Sequence, residues 1–486
     1  MTIPLILLGL TALFALLLGV GARSGHAMGL EEWTVGNRGF GAALVFLLLA
    51  GEIYTTFTFL GASGFAYGLG APAYYILAYA TLAYVIAYFL LPAVWTYAKT
   101  HNLVSQPDFL AHKYDSPALG IVVSLVDIVA LVPYLVLQLT GLGIIVSAAG
   151  YGGISNTAAV LIGAVVVTVY VIVSGVRGSA WTAVAKDIMI LGVVLFLGIY
   201  LPIHLYGGIG SMFAEIAKAK PGFLTFPDKG QSVWWFVSTV LLTALGFFMW
   251  PHSLASCYTA RDARVFRKNA IVLPIYQLIL LFVYFVGFAA VLKVPGLKGA
   301  ASNLALFKLV VATLPPWVVG IVGAAGVLTA LVPGSMITMT AATLMARNIY
   351  GAYNKQASND QIVLLAKCLV PVVMAIAVVF TLTGNSTIVT LLLVGYSFVT
   401  QMFPALVASL FPNAGATRQG AMAGIVVGVG VAAWLTFSHS TVGSLMPFLP
   451  QAIKDLNVGI IALIANVVVL AVVSAMTRRS AMAVAE

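Results

Sequence analysis

Charge is what this sequence has least of. Only 7% of its 486 residues are Asp, Glu, Lys or Arg, against about a quarter in soluble domains, so water is excluded as the main solvent of its surface. Two cysteines, Cys257 and Cys368, supply neither a disulfide framework nor a metal cluster, and both read as small packing residues. No stretch alternates polar and apolar residues over the ~10 positions of a barrel strand. No nucleophile–base pair or metal-ligand cluster is legible, so neither an enzyme nor a cofactor is expected. The net charge of +10 is dispersed among loops, which excludes a nucleic-acid partner, and no obligate protein partner is evident.

What fills the chain instead is apolar: 62% hydrophobic residues and a mean hydropathy of +1.09. Crossing a hydrocarbon core of ~30 Å takes ~20 helical residues. Thirteen stretches of about that length occur, near 4–22, 41–67, 72–97, 119–148, 157–174, 177–203, 232–257, 270–292, 316–346, 362–383, 387–410, 419–437 and 457–476. The expectation is an all-α membrane protein with one transporter domain over 1–486. The first basic residue, Arg23, follows the first apolar run, so that run is expected to be a retained helix rather than a signal peptide. With the N-terminus outside, 15 of the 23 basic residues, including every arginine, lie on inner loops or near the inner ends of spans. Seven lysines then lie outside, and Lys186 falls within a span. The positive-inside rule therefore orients the chain N-out and C-in, as a multi-pass protein of a bacterial inner membrane. Segments 208–230 and 293–314 read as outer loops with short surface helices.

Two spans carry polar interruptions at membrane depth. The second contains Ala50-Gly51-Glu52-Ile53-Tyr54-Thr55-Thr56, and the seventh contains Gly246 and then Trp250-Pro251-His252. Proline cannot donate the helical hydrogen bond, and unwound backbone is tolerated in a membrane only where protein or a cavity surrounds it. The breaks, expected near Gly51 and Pro251, lie five spans apart. That spacing points to an inverted repeat of about 41–206 and 231–411 with a binding site between its halves.

These strings are familiar. Together with Ser105-Gln106-Pro107-Asp108-Phe109-Leu110, Trp181-Thr182 and Gly326-Val327-Leu328-Thr329-Ala330-Leu331, they make the chain resemble the sodium:solute symporter family. Gly51 to Phe57 and Ala330 to Ser335 are similar to its bacterial monocarboxylate-permease branch. The resemblance implies a LeuT-like 5+5 inverted repeat with one extra N-terminal helix (4–22) and two C-terminal ones (419–437 and 457–476). It also implies a sodium site between spans two and nine, at the carbonyls of Ala50, Ile53 and Gly326 and the hydroxyl of Thr329. The chain departs from the family there. Ala330 stands where a second hydroxyl is usual, Ala183 replaces an aspartate, and Val332 and Pro333 offer no hydroxyls.

Lys186 enters the same region, on the helical face of Ala183. It is the tenth residue from Arg177, roughly 13 Å along a helix, against a half-bilayer of about 15 Å. Such an ammonium is expected to take the carbonyls of Ala50 and Ile53 and the Thr329 hydroxyl, and to repel sodium. A permanent ion pair with Asp127 or Glu52 is the alternative, whereas Asp187 points ~100° away around the helix. Lys186, Glu52 and Asp127 are thus the expected cation-coupling residues, with a proton preferred to sodium. For the solute, the expected contacts are Tyr54, Thr55, Thr56, Gln138, Trp250, His252, Tyr396 and Gln401. No arginine lies deep in a span, Arg177 only opening one, so a small organic anion would meet half-helix N-termini and hydroxyls. The expected function is uptake of a lactate-, pyruvate- or propionate-sized monocarboxylate. The alternatives are sodium-coupled symport of another small solute, such as an amino acid, and a transporter-like sensor. Only about ten residues follow the last span, which leaves no room for a signalling module.

Overall fold

The computed structural model describes residues 2–23 and 29–485, and among them contains helices and no strand. The membrane-crossing helices are α1 (Thr2–Arg23), α2 (Ala42–Ile53), α3 (Ala62–Leu69), α4 (Tyr75–Thr100), α5 (Pro117–Ala149) and α6 (Asn156–Tyr206). They continue with α7 (Val233–Gly246), α8 (Pro251–Tyr258), α9 (Arg264–Gln277), α10 (Leu280–Lys293) and α11 (Pro316–Thr343). The last four are α12 (Asn359–Thr383), α13 (Ile388–Val399), α14 (Arg418–Phe437) and α15 (Val458–Ala485).

Ten described helices are long and apolar enough to cross a bilayer, and two bent pairs also qualify. At 51 residues α6 is far longer than a bilayer needs, at 1.5 Å per residue. It breaks at Gly175, with φ 61° and ψ −167°, a conformation essentially confined to glycine. The Tyr170 hydroxyl donates to Thr182 Oγ1 at 2.8 Å, although residues that far apart in one continuous helix stand about 18 Å apart. The chain therefore folds back at Gly175, between the two spans expected at 157–174 and 177–203.

Small residues let the helices approach closely where lipid gives no hydrophobic drive to associate. A side chain at Gly420, Gly424 or Gly428 of α14 would run into Ser474, Leu470 or Asn466 of α15. Gly320 and Gly323 of α11 accommodate Leu7 and Leu8 of α1 in the same way. Helix α11 is buried along most of its length and forms the centre of the bundle.

The first loop expected at the surface contains a helix at Ile209–Ala219. In the second, the helix Ala305–Thr313 buries Leu306, Phe307 and Leu309, so it is packed into the protein rather than lying on its surface. Cys257 is buried, whereas Cys368 is exposed and fills no core position.

Candidate functional site

The two bent spans lie against each other. The first turns by 46° between α2 and the segment beginning at Phe57, and the second by 48° between Met249 and Pro251. The second break sits where sequence reading put it, because the residue before a proline is held extended. Trp250 has φ −62° and ψ 126°, and Pro251 opens α8.

The first break is displaced from its expected place. The helix runs through Gly51 and Glu52 and stops at Tyr54, which has φ −89° and ψ 81°. Hydroxyls end it rather than glycine. The Thr55 N–H donates to Thr58 Oγ1 at 2.9 Å and the Phe57 N–H to Thr55 Oγ1 at 3.1 Å. These bonds offer the backbone an alternative to the helical ladder. Gly51 instead permits a close approach: an added Cβ there would stand 3.4 Å from that of Ala183 and 3.5 Å from Lys186 Nζ.

Lys186 is completely buried. Its ammonium donates to the carbonyls of Gly51 at 2.7 Å and Tyr54 at 3.0 Å, and pairs with Asp187 Oδ1 at 3.0 Å. Two carbonyls thus take two of the three N–H donors of the ammonium, and the Asp187 carboxylate stands beside it as an ion pair. The expected carbonyls were those of Ala50 and Ile53; the ones used lie one residue further along. The Ala50 carbonyl accepts the Tyr54 N–H at 3.3 Å, and of Ile53 nothing beyond its place in α2 lies within the description. Thr329 is not a partner either, since its hydroxyl donates to the Gly326 carbonyl at 2.6 Å. Two of the expected sodium ligands thus satisfy each other. Asp187 pairs despite its angular offset, because four methylenes let the lysine head reach its sequence neighbour.

Neither Glu52 nor Asp127 is the lysine's ion-pair partner. Glu52 accepts a hydrogen bond from Ser256 of α8 at 2.6 Å. Asp127 is buried beside Gln106, whose amide, turned to donate, reaches Asp127 Oδ2 at 3.3 Å and the Met249 carbonyl at 2.9 Å.

Beside the breaks lies a cavity of about 20 Å³, room for about one water molecule. Its walls include the rings of Phe57, Tyr79, Tyr134, Phe247, Trp250 and Tyr396. Glu52, Thr58, Ser253 and Gln277 supply the polar part of the lining. Of the residues expected to meet solute, Trp250 and Tyr396 line it. His252 stands behind them, its ring 5.2 Å from that of Tyr134 and 5.8 Å from that of Trp250. The expected hydroxyls are already engaged: Tyr54 with the Tyr276 carbonyl at 3.5 Å, and Thr56 with Gln138 Oε1 at 2.7 Å. Gln401 lies elsewhere, bonded to Asn466, Gly459 and Ser397. A larger apolar cleft of about 1330 Å³ runs beside α5 and α13, and none of the residues expected to bind solute lines it.

Sequence reading missed Tyr79, Tyr134, Ser253, Ser256, Gln277 and Asp187. The serines had a signal, one and four residues after His252 and thus near the second break, whereas the tyrosines sit in unbroken apolar runs and carried none.

Both ends of the cavity are closed. On the side rich in arginine, Arg38 pairs with Glu31 at 3.2 Å, Arg177 with Glu32 at 2.6 Å and Arg347 with Asp108 at 3.0 Å. Phe40 exchanges backbone hydrogen bonds with Thr259 and Arg261, both 3.0 Å, tying the two bent spans together there. Towards the other side, the Tyr67 hydroxyl donates to the Val294 carbonyl at 2.6 Å, and that of Tyr284 to the Ala73 carbonyl at 3.0 Å.

Comparison with known proteins agrees with this architecture. A family model described as the sodium:solute symporter family matches residues 33–428. The chain is 60% identical over 486 residues to the uncharacterized symporter YhjB of Bacillus subtilis, covering 100% of this chain and 99% of that one. It is 30% identical over 460 residues to a monocarboxylate transport permease protein of Rhizobium johnstonii, covering 92% and 90%. A solved Na+-coupled sialic acid symporter superposes with a TM-score of 0.80 at 16% identity, covering 98% of each chain. At that identity the likeness establishes the fold, which is LeuT-like.

Proposed function

The chain belongs to the sodium:solute symporter family, and from that premise we propose that it accumulates a small monocarboxylate in symport with a proton. That it is a multi-span membrane transporter rather than an enzyme follows from the family and the fold. The similarity to the Rhizobium permease supports the solute class. One observation carries the coupling ion: the Lys186 ammonium holds the Gly51 and Tyr54 carbonyls, at the break where the family resemblance places a sodium ion. A fixed cation there repels a second one.

The nearest titratable group to take its proton is Asp187, whose Oδ1 lies 3.0 Å away. Transfer between them leaves a neutral amine beside a neutral acid, and opening of the break removes the carbonyls that favour the ammonium. We further propose that 41–206 and 231–411 are the two inverted halves, and that the chain lies N-out and C-in. Superposing the halves and fusing topology reporters to the termini test these two points.

The decisive experiment is uptake into proteoliposomes under separately imposed gradients. The expected result is accumulation driven by an inward proton gradient and indifferent to sodium. Sodium-dependent uptake at fixed pH, with no response to a proton gradient, would falsify the coupling. Absence of labelled-solute counterflow would remove the carrier reading in favour of a sensor.

A further inference from the structure

We propose that the closed cavity is an ammonium-binding site, so that the transported solute carries a cationic nitrogen at the end that meets Glu52. The inference rests on the reading of the chain as a small-solute symporter and narrows the class of solute.

A bare organic anion finds little here to bind. After the first break the N–H groups of Thr55 and Phe57 are spent on Thr58 and Thr55, and the Tyr54 and Thr56 hydroxyls donate to protein acceptors. Beside α8 the protein places a carboxylate of its own. Glu52 is 8% exposed and is held there by Ser256 at 2.6 Å. Among the described residues no lysine, arginine or histidine lines the cavity, and Lys186 is held by the Gly51 and Tyr54 carbonyls and paired with Asp187. A solute carboxylate brought beside an ionised Glu52 would meet like charge in a dry site, where Coulomb repulsion is strongest.

What the cavity does offer is acceptors and ring faces. Glu52 Oε2 and Gln277 Oε1 have no hydrogen-bond partner among the described residues, and both residues line the space. Around them stand six aromatic rings, and ring faces attract cations through their quadrupoles, as in cages that recognise quaternary ammonium groups. In this closed form the rings pack on one another. The centroid separations are 4.8 Å for Tyr134–Trp250, 5.4 Å for Trp250–Tyr396 and 5.8 Å for Tyr79–Tyr396. A solute enters by parting them, so binding is coupled to opening. Trp250 Nε1 is the matching donor without a partner, and it serves the carboxylate end of a solute that has both groups.

The test compares propionate with β-alanine, which differ only by the ammonium group, as competitors of exchange in proteoliposomes of the full chain. The expected result is half-maximal competition by β-alanine at a concentration at least about ten-fold lower, with Glu52→Gln collapsing that ratio towards one. If Glu52→Gln does not reach the membrane, Tyr396→Phe and Tyr396→Leu decide: the ring-retaining variant keeps the preference and the aliphatic one loses it. Propionate competing as well as β-alanine overturns the ammonium site and leaves the monocarboxylate reading standing. Exchange of choline without exchange of either acid supports the ammonium site and overturns the monocarboxylate reading. Failure of all three solutes overturns both.

Discussion

The two breaks sit side by side and are built in opposite ways. The first is made by hydroxyls. Thr55 and Thr58 bend the chain three residues past Gly51, and the freed Gly51 and Tyr54 carbonyls face an ammonium supplied by α6. The second is made by Pro251, which holds Trp250 extended, and the half-helix behind it faces a carboxylate supplied by α2. One break is thus closed by a lysine ammonium and the other by a glutamate carboxyl group. The two groups belong to different helices, so each must separate from its partner if those helices move. At the first break the freed carbonyls find their donor within the protein itself, before any solute or ion arrives.

Removing the cation should break this arrangement most severely. Lys186→Met leaves Asp187 and two carbonyls buried without their donor, and breaking a buried pair costs about 3–5 kcal/mol. The expected outcome is a large drop in thermal stability together with loss of gradient-driven accumulation. The double variant with Asp187→Asn should recover part of the stability but none of the accumulation. Equal instability of the single and double variants would show that the pair is not the reason for the loss.

Next in size is Gly246→Ala, before the second break. Its Cβ would overlap the Thr400 hydroxyl and press on the Tyr396 ring, and overpacking of this kind costs about 1–3 kcal/mol. Unfolding in detergent measures it. Thr56→Val should cost a similar ~1–3 kcal/mol, because it leaves Gln138 Oε1 without its donor. Its signature differs from that of a solute contact: lower stability with the half-saturation concentration of uptake unchanged. A ten-fold rise in half-saturation would return Thr56 to the binding site. The smallest effect belongs to Gly51→Ala, where the new methyl meets only ordinary van der Waals contacts at 3.4 and 3.5 Å. Its stability should stay within about 1 kcal/mol of the parent. If Gly51→Ala proved as damaging as Gly246→Ala, the first break would be glycine-made after all.

The sequence by itself determined the class of molecule, the apolar spans, the existence of both breaks and the presence of one lysine at membrane depth. These are local properties. Twenty apolar residues in lipid must satisfy their own backbone as a helix, a proline removes a donor wherever it sits, and a charge far from both interfaces cannot hide. Only the tertiary structure decided which carbonyls Lys186 takes, that Asp187 is its partner, that Thr329 turns to Gly326, and that Gln401 packs against Asn466 rather than facing a solute. It also brought Tyr79 and Tyr134 from two unbroken spans to one cavity with Glu52 and Trp250. For the contacts between helices, the physical reason is that a hydrogen bond or a ring contact is settled by fractions of an ångström between residues far apart in sequence, 82 positions for Thr56 with Gln138 and 204 for Glu52 with Ser256. Periodicity and composition record which face a residue occupies, but not which residue of another helix waits opposite it.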